Sequence, residues 1–268
     1  MSLPPRNVAS LFAPLHAELM ALLRGLTADD WQRQTVAPKW RVRDVVAHLL
    51  DTQLRKLAAH RDGHLAPVDD AASVLDLINT LNADGVAFAQ RLSPRLLIDL
   101  HAVVGPWTAA FIEQLDPDAE ALFPVAWAGE ERSANWMDSG REYTEWWHHQ
   151  MQIRDAVGSG ALLLERKWLD PLLDFSVRAL PHAYAGTPGR SLQLRIGDNA
   201  WTLTGTNGVW DITAGERPDP EATVEMTPDT AWRLFYNALP PGAAGERITA
   251  SGERRLLEPL LRTRSVMV

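Results

Sequence analysis

The hydrophobic pattern of this 268-residue chain changes near residue 160, and this change restricts the fold more than any other feature. Before that point, apolar residues recur at steps of three and four, as they do from Val42 to Leu57, which is the spacing of a buried helix face. After it, short runs rich in β-branched and aromatic residues are separated by turn signals such as Asn207-Gly208. The pattern predicts an all-α domain over residues 1–165 and an α+β domain over residues 166–268.

Helix start and stop signals divide the first part of the chain further. Ser93-Pro94 is typical of an N-cap followed by proline in the first turn. The Gly105-Pro106 pair is expected to kink or interrupt the helix that begins there. Ser139, with Glu142 three residues later, has the pattern of a capping box, and it predicts that the next helix begins there and ends before Gly158.

The composition excludes several classes of site. The chain contains no cysteine, so disulfides, zinc–thiolate sites and a cysteine nucleophile are ruled out. Any metal site must use histidine, aspartate or glutamate, and a catalytic thiol would have to come from a cofactor. The net charge of −8 argues against a nucleic-acid partner, which usually binds a basic surface.

The sequence predicts neither a membrane partner nor export. No apolar run approaches the roughly 18 residues that a membrane-spanning helix needs. The N-terminal segment contains Pro4, Pro5 and Arg6 and lacks the apolar core of a signal peptide. A cytoplasmic location is therefore expected.

A Glu-x-x-x-His pattern in the predicted helix after residue 139 is the most informative motif. In a helix, Glu145 and His149 lie on one face, with roughly 5–6 Å between their Cβ atoms, so both can reach one metal ion. His48 is the best candidate for a third ligand, because it lies among the apolar residues of the second helix. The alternatives are a histidine that only fills the core, a hydrogen bond between Glu145 and His149, and His148 as the ligand in place of His149.

The two adjacent histidines cannot both face the ion with Glu145, because neighbouring helix positions point about 100° apart. His149 completes the four-residue spacing. His148 shares a face with Thr144 and Gln152 and is expected to be a surface or pocket-edge residue.

Two segments together carry a family resemblance: the stretch from Trp40 to His48, and the pattern Glu145-x-x-x-His149. They resemble the mycothiol-dependent maleylpyruvate isomerase family. The resemblance extends over the whole chain and implies a DinB-like metal-binding four-helix bundle, followed by a small sterol-carrier-like α+β domain. It also implies that His48, Glu145 and His149 bind a divalent metal, most often zinc, with nickel, iron or manganese as the other options.

The same resemblance implies a low-molecular-weight thiol cofactor such as mycothiol, and a small-molecule substrate. Three protein ligands leave a coordination position open, where a thiol can be held as thiolate. Attack on an electrophilic carbon, followed by bond rotation and elimination, gives cis–trans isomerisation, whereas a lasting adduct gives S-transfer.

The chain departs from many relatives of this family in two places. Gln152 stands where they have aspartate, and Asn237-Ala238-Leu239 stands where they have a Gly-Arg pair whose arginine is linked to catalysis. Arg233, Arg254 and Arg255 are the candidates to replace that arginine.

Other functions are also consistent with the residues. Within enzymes, the main alternative is hydrolysis by a metal-bound hydroxide. Two histidines with one carboxylate also resemble the site of iron oxygenases, an alternative that ranks lower because the predicted scaffold is a helical bundle. The non-enzyme alternative is a binding protein that holds a lipid or another apolar ligand in a large cavity within residues 166–268. Arg41 and Arg43 precede His48 and could bind a substrate carboxylate, but solvated surface charges explain them better.

Overall fold

Five helices form the first part of the chain in a computed structural model, which describes residues 3–65, 73–240 and 242–266. The helices are α1 (Phe12–Gly25), α2 (Val42–Lys56), α3 (Val74–Ala89), α4 (Pro94–Glu113) and α5 (Asn135–Ala156). Helices α1, α2, α4 and α5 pack as a four-helix bundle, and α3 lies beside α2. Helix α2 is central: Val42, Val45 and Val46 are fully buried.

Helix α4 begins as predicted and continues further than expected. The Ser93 side chain accepts a hydrogen bond from the Leu96 N–H (3.2 Å), and Pro94 occupies the first turn. Gly105-Pro106 does not interrupt this helix, because α4 runs through both residues. A kink, the other expected effect of the pair, stays a prediction. Glycine before proline removes the Cβ that would clash with the proline ring, which allows the helix to continue.

Helix α5 begins four residues earlier than predicted. Its first residue is Asn135, so Ser139 and Glu142 lie inside the helix and the predicted capping box is wrong. The first amides of α5 donate instead to the main chain before it: the Asn135 N–H to the Ala119 carbonyl (2.8 Å) and the Trp136 N–H to the Pro117 carbonyl (2.9 Å). These bonds satisfy amides that have no partner within the helix.

The described residues contain one helix, α4, that is long and apolar enough to cross a membrane. The expectation that no segment reaches this length is therefore wrong. Core helices of water-soluble proteins have the same length and composition, and Val104, Ala109 and Ile112 of α4 are buried inside the protein.

A five-stranded sheet forms the centre of the second part of the chain. Its strands are β1 (Ser191–Ile196), β2 (Asn199–Thr206), β3 (Val209–Ala214), β4 (Ala222–Met226) and β5 (Ile248–Gly252). They lie in the order β3-β2-β1-β4-β5, and only the β1–β4 pair is parallel. Asn207 and Gly208, both with positive φ (51° and 79°), form the tight turn predicted between β2 and β3.

Short helices complete this part of the chain. They are α6 (Arg166–Val177), α7 (Leu180–Ala183), α8 (Pro228–Phe235) and α9 (Leu257–Arg262). Phe175, Trp232 and Phe235 are fully buried. The predicted fold class, a helical bundle followed by a small α+β unit, is confirmed.

The chain divides into two compact units that are interleaved along the sequence. Residues 7–122 and 134–163 form the helical unit, and the second unit contains residues 3–6 and 123–133 as well as 164–266. Two short segments from the first part of the chain therefore belong to the α+β unit.

Candidate metal centre

His48 on α2 and the pair Glu145 and His149 on α5 lie together inside the helical unit. One ligand atom from each of the three side chains lies within 4.8 Å of the other two. Ligand atoms bound to one zinc ion at about 2.0–2.2 Å lie roughly 3–4 Å from each other. The three side chains would therefore need to move together only slightly to bind a zinc ion. Two imidazole nitrogens and one carboxylate oxygen are donors that zinc and other transition metals accept.

His149 is oriented by two neighbours on its own helix. Its Nδ1–H donates to the Gln152 Oε1 atom (3.0 Å), and its Nε2 lies 3.3 Å from the Glu145 Oε2 atom. A proton on Nδ1 leaves the Nε2 lone pair available for a metal. Gln152 therefore supports His149 in the way that outer residues commonly support a metal-bound imidazole.

His48 is buried beside His149 and supplies the second imidazole of the set. The two imidazole rings lie 4.5 Å apart, and the Trp40 ring packs 4.6 Å from His48. The His48 Nδ1 atom has no hydrogen-bond partner among the described residues. Burial, followed by the neighbouring His149, holds the pKa of His48 well below its usual value, so the ring is neutral, which is the form that binds metals.

Glu145 is the most exposed of the three side chains. Its side chain is 21% exposed. Burial would raise the pKa of this carboxyl group, but His148 first and then His149 outweigh burial and hold the pKa below its usual range. Glu145 is therefore charged at neutral pH and reachable from outside.

His148 does not belong to the three-residue set and is not at the surface. It is only 2% exposed, and its Nδ1–H donates to the Thr144 carbonyl (2.8 Å). Burial lowers the pKa of His148 to about 3, so it is neutral. The expectation that His148 is a surface or pocket-edge residue is wrong, because α5 is enclosed on this side as well.

A network of buried charges lies one to two turns before Glu145, and the sequence reasoning missed it. Asp138 on α5 is fully buried; its Oδ2 accepts from the Lys56 ammonium (2.5 Å) and its Oδ1 accepts from Arg141 (2.7 Å). Glu142 is also buried and accepts from the Trp146 indole (3.1 Å). The available signal was the spacing of three acidic residues along one face of the Glu-x-x-x-His helix.

Arg141 and Lys56 keep the Asp138 carboxylate charged. Burial by itself would raise the pKa of Asp138, but the two cations outweigh burial and hold the pKa well below its usual range.

The candidate arginines differ in the ion pairs and hydrogen bonds that they form. In the second unit, Arg233 pairs with Asp229 (3.0 Å) and Arg255 pairs with Glu221 (2.7 Å), whereas Arg254 makes no ion pair with the described residues. In the helical unit, Arg43 donates to the main-chain carbonyls that end α3, and Arg41 donates to Gln32 (3.1 Å). Arg41 is exposed, as expected of a solvated surface charge. For Arg43 that expectation is wrong, because its side chain is half-buried and is held by the main chain after α3.

The fold and the site define a class: a helical-bundle protein with two histidines and a carboxylate gathered in its interior, extended by a small α+β unit. The family model of the mycothiol maleylpyruvate isomerase N-terminal domain matches residues 12–154, which is more than half of the chain. The chain belongs to this family, and the resemblance found in its sequence is confirmed. No curated protein sequence matches the chain.

Solved structures show the same overall fold. One is the crystal structure of the mycothiol-dependent maleylpyruvate isomerase, whose sequence is 16% identical to this chain. The two structures align with a TM-score of 0.53, and the alignment covers 94% of this chain and 95% of that chain. A histidine-to-alanine mutant of the mycothiol-dependent maleylpyruvate isomerase is 14% identical, with a TM-score of 0.51 over the same shares. At these identities the likeness establishes the fold alone.

Proposed function

We propose that this protein is a metal-dependent enzyme that uses a low-molecular-weight, mycothiol-like thiol to isomerise a small electrophilic substrate or to transfer sulfur to it. The observation that carries the proposal is the proximity of His48, Glu145 and His149, together with a buried His48 nitrogen that has no hydrogen-bond partner among the described residues. Membership of the isomerase family supports the thiol and the reaction class. A cytoplasmic enzyme with no nucleic-acid or membrane partner stays our prediction.

Each side chain of the site would have a separate role in this reaction. His48, Glu145 and His149 would hold a divalent ion, most often zinc, which supplies a Lewis-acid centre that keeps a bound thiol deprotonated near neutral pH. Such a thiol supplies reversible addition to an electrophilic carbon, which allows cis–trans isomerisation or S-transfer. Gln152 fixes the orientation of His149, and Trp40 shields the histidine rings from water.

Membership of a family named for an isomerase favours an enzyme over the alternative of a lipid carrier. Of the three candidate arginines, Arg254 is proposed first for catalysis, because its guanidinium is not engaged in an ion pair with the described residues, unlike Arg233 and Arg255.

Metal analysis of single variants tests the site. We expect His48→Ala, Glu145→Ala and His149→Ala each to lose bound zinc, because two remaining ligands hold a divalent ion poorly. His148→Ala, and His64→Ala at an exposed position, should keep wild-type zinc. Elemental analysis of the purified proteins gives the result, and stoichiometric zinc in all three ligand variants would refute the site.

Activity measurements test the chemistry. Wild-type protein should convert maleylpyruvate only when a thiol from a panel including mycothiol is added, and the ligand variants should not. Turnover of an ester or amide without any thiol would instead support a metal-assisted hydrolase.

A further inference from the structure

An arginine side chain lies on the solvent-reachable side of the candidate metal centre. Arg141 precedes Glu145 by four residues on α5, so the two side chains share one face of the helix. Arg141 is 27% exposed and Glu145 is 21% exposed, whereas His48 is almost fully buried. A molecule that reaches the metal ligands from this side would therefore meet the Arg141 guanidinium.

Buried charges hold this guanidinium in place. Its Nε and Nη2 atoms both donate to the Asp138 Oδ1 atom, at 3.1 and 2.7 Å. Asp138 is itself fixed on its other oxygen by the buried Lys56 ammonium (2.5 Å). An arginine anchored in this way loses little additional side-chain freedom when it binds a ligand.

Part of the guanidinium is not used. The Arg141 guanidinium donates hydrogen bonds only to Asp138 among the described residues, and the nearest Glu142 oxygen lies 3.7 Å from Nη2, beyond hydrogen-bond distance. The Nη1–Nη2 edge is therefore available. This edge has the geometry that binds a carboxylate through two parallel N–H donors.

The surrounding charge does not oppose an anion at this position. Lys56 and Arg141 balance Asp138 and Glu142, so the buried network is neutral overall. Among the described residues, Glu145 is a further carboxylate that acts on Arg141, and the proposed divalent ion would more than offset its charge.

We propose that Arg141 recognises a carboxylate group of the electrophilic substrate and so selects anionic substrates for the metal centre. This inference rests on the proposed function, because it assumes that the substrate approaches His48, Glu145 and His149. It assigns a specificity residue that lies in the helical unit, separate from the candidate arginines of the α+β unit.

Calorimetric titration of the zinc-loaded full-length protein tests the proposal without requiring turnover. The probe is maleate, a stable unsaturated dicarboxylate, and dimethyl maleate is its uncharged counterpart. We expect Arg141→Gln to raise the Kd for maleate about tenfold or more, as the loss of a charge-assisted bidentate contact would. Arg141→Lys should bind with intermediate affinity, because it keeps the charge but not the planar edge.

Matched controls exclude general effects. Arg33→Gln removes an exposed arginine of the helical unit that pairs with Asp30, and it should leave the Kd for maleate unchanged. Zinc content and thermal unfolding of Arg141→Lys should match the wild type. The affinity for dimethyl maleate should be the same in wild type and Arg141→Gln.

Several results would overturn the proposal. These are absence of maleate binding to the wild type, an equal Kd for wild type and Arg141→Gln, or loss of zinc from Arg141→Gln. N-Acetylcysteine, a small thiol that carries a carboxylate, serves as a second probe. If Arg141→Gln weakens the binding of N-acetylcysteine but not of maleate, Arg141 recognises a carboxylate of the thiol, and the proposal is overturned. The titration measures maleate binding and requires no catalysis. Absence of thiol-dependent activity would therefore refute the proposed function, whereas the Kd values for maleate separately test the role of Arg141.

Discussion

Gln152 is a single-residue departure from many family members, and its contact with His149 gives it a role. The Gln152 carbonyl oxygen accepts the Nδ1–H bond that a carboxylate would otherwise accept (3.0 Å). An amide orients the imidazole but, unlike a carboxylate, adds no negative charge beside it. We infer that Gln152 keeps the orientation of the ligand and lowers its basicity relative to an aspartate.

Replacement of Gln152 by alanine should weaken metal binding. The loss of such an outer hydrogen bond commonly costs about 10–100-fold in metal affinity, and we expect a reduction in this range. Competition with a chromophoric zinc chelator measures the affinity. Gln152→Glu keeps an acceptor and serves as the control; equal affinity of Gln152→Ala and the wild type would show that His149 needs no such support.

His101 is a second residue whose surroundings give a measurable prediction, this time for stability. It is fully buried on α4, and its Nε2–H donates to the Val46 carbonyl (2.9 Å). Burial lowers the pKa of His101 to about 4, below the value of about 6.5 in an unfolded chain. Between these two values the unfolded state binds more protons, so the free energy of unfolding falls as the pH is lowered through this window.

The wild type should therefore lose more stability than His101→Gln between pH 7 and pH 5. One group with this shift contributes about 2 kcal/mol over that range, at about 1.4 kcal/mol per pH unit below the unfolded pKa. Urea unfolding at both pH values gives the difference. Other buried histidines titrate equally in both proteins, so an identical pH dependence would contradict the role of His101.

At the scale of elements, α1 and α4 approach each other closely at Gly105. A Cβ atom built on Gly105 would lie 2.0 Å from the Nε2 atom of His16 on α1. His16 cannot easily move, because it is buried and its Nε2 is hydrogen-bonded to the His101 carbonyl (3.0 Å). Gly105 thus allows α1 and α4 to pack closely, and it also allows α4 to continue through Pro106.

Gly105→Ala should destabilise the protein although alanine favours helices. We expect a loss of about 1–3 kcal/mol in the free energy of unfolding, which is typical of overpacking in a core. Gly25→Ala is the matched control, because no atom of the described residues lies within 4 Å of the added Cβ. The double variant Gly105→Ala/His16→Ala should recover part of the loss, and an unaltered stability of Gly105→Ala would show that the helices can separate without cost.

At the scale of the whole molecule, the two units share the chain in an interleaved order. The Arg178 guanidinium of the second unit donates to the Pro4 carbonyl (2.7 Å), and Val125 in the segment 123–133 is fully buried. We propose that the boundary before the α+β unit lies between Gly158 and Arg166, where α5 has ended and α6 begins.

A cut at this boundary should not release the two fragments. A specific protease site inserted after the exposed Ser159 would separate residues 164–266 from the segments 3–6 and 123–133, which fold with them. We expect the fragments to co-elute in native size-exclusion chromatography and to separate in denaturant. Separation under native conditions would show that these segments add little to the second unit.

The sequence alone determined which residues share a helix face and where the type of secondary structure changes. The spacing of Glu145 and His149 and the apolar surroundings of His48 depend on local geometry, since a helix repeats every 3.6 residues whatever packs against it. The division into a bundle and a sheet followed from the same periodicity, and the resemblance to the family joined His48 to the other two residues.

Only the tertiary structure decided how polar groups are satisfied and how the helices meet. Ser139 does not begin a helix, because main-chain carbonyls at 117 and 119 satisfy the first amides of α5. His148 is buried, and Asp138 finds Lys56 82 residues away along the chain. Such contacts depend on which helices become neighbours, and a buried charge reveals its role only when its distant partner is in place.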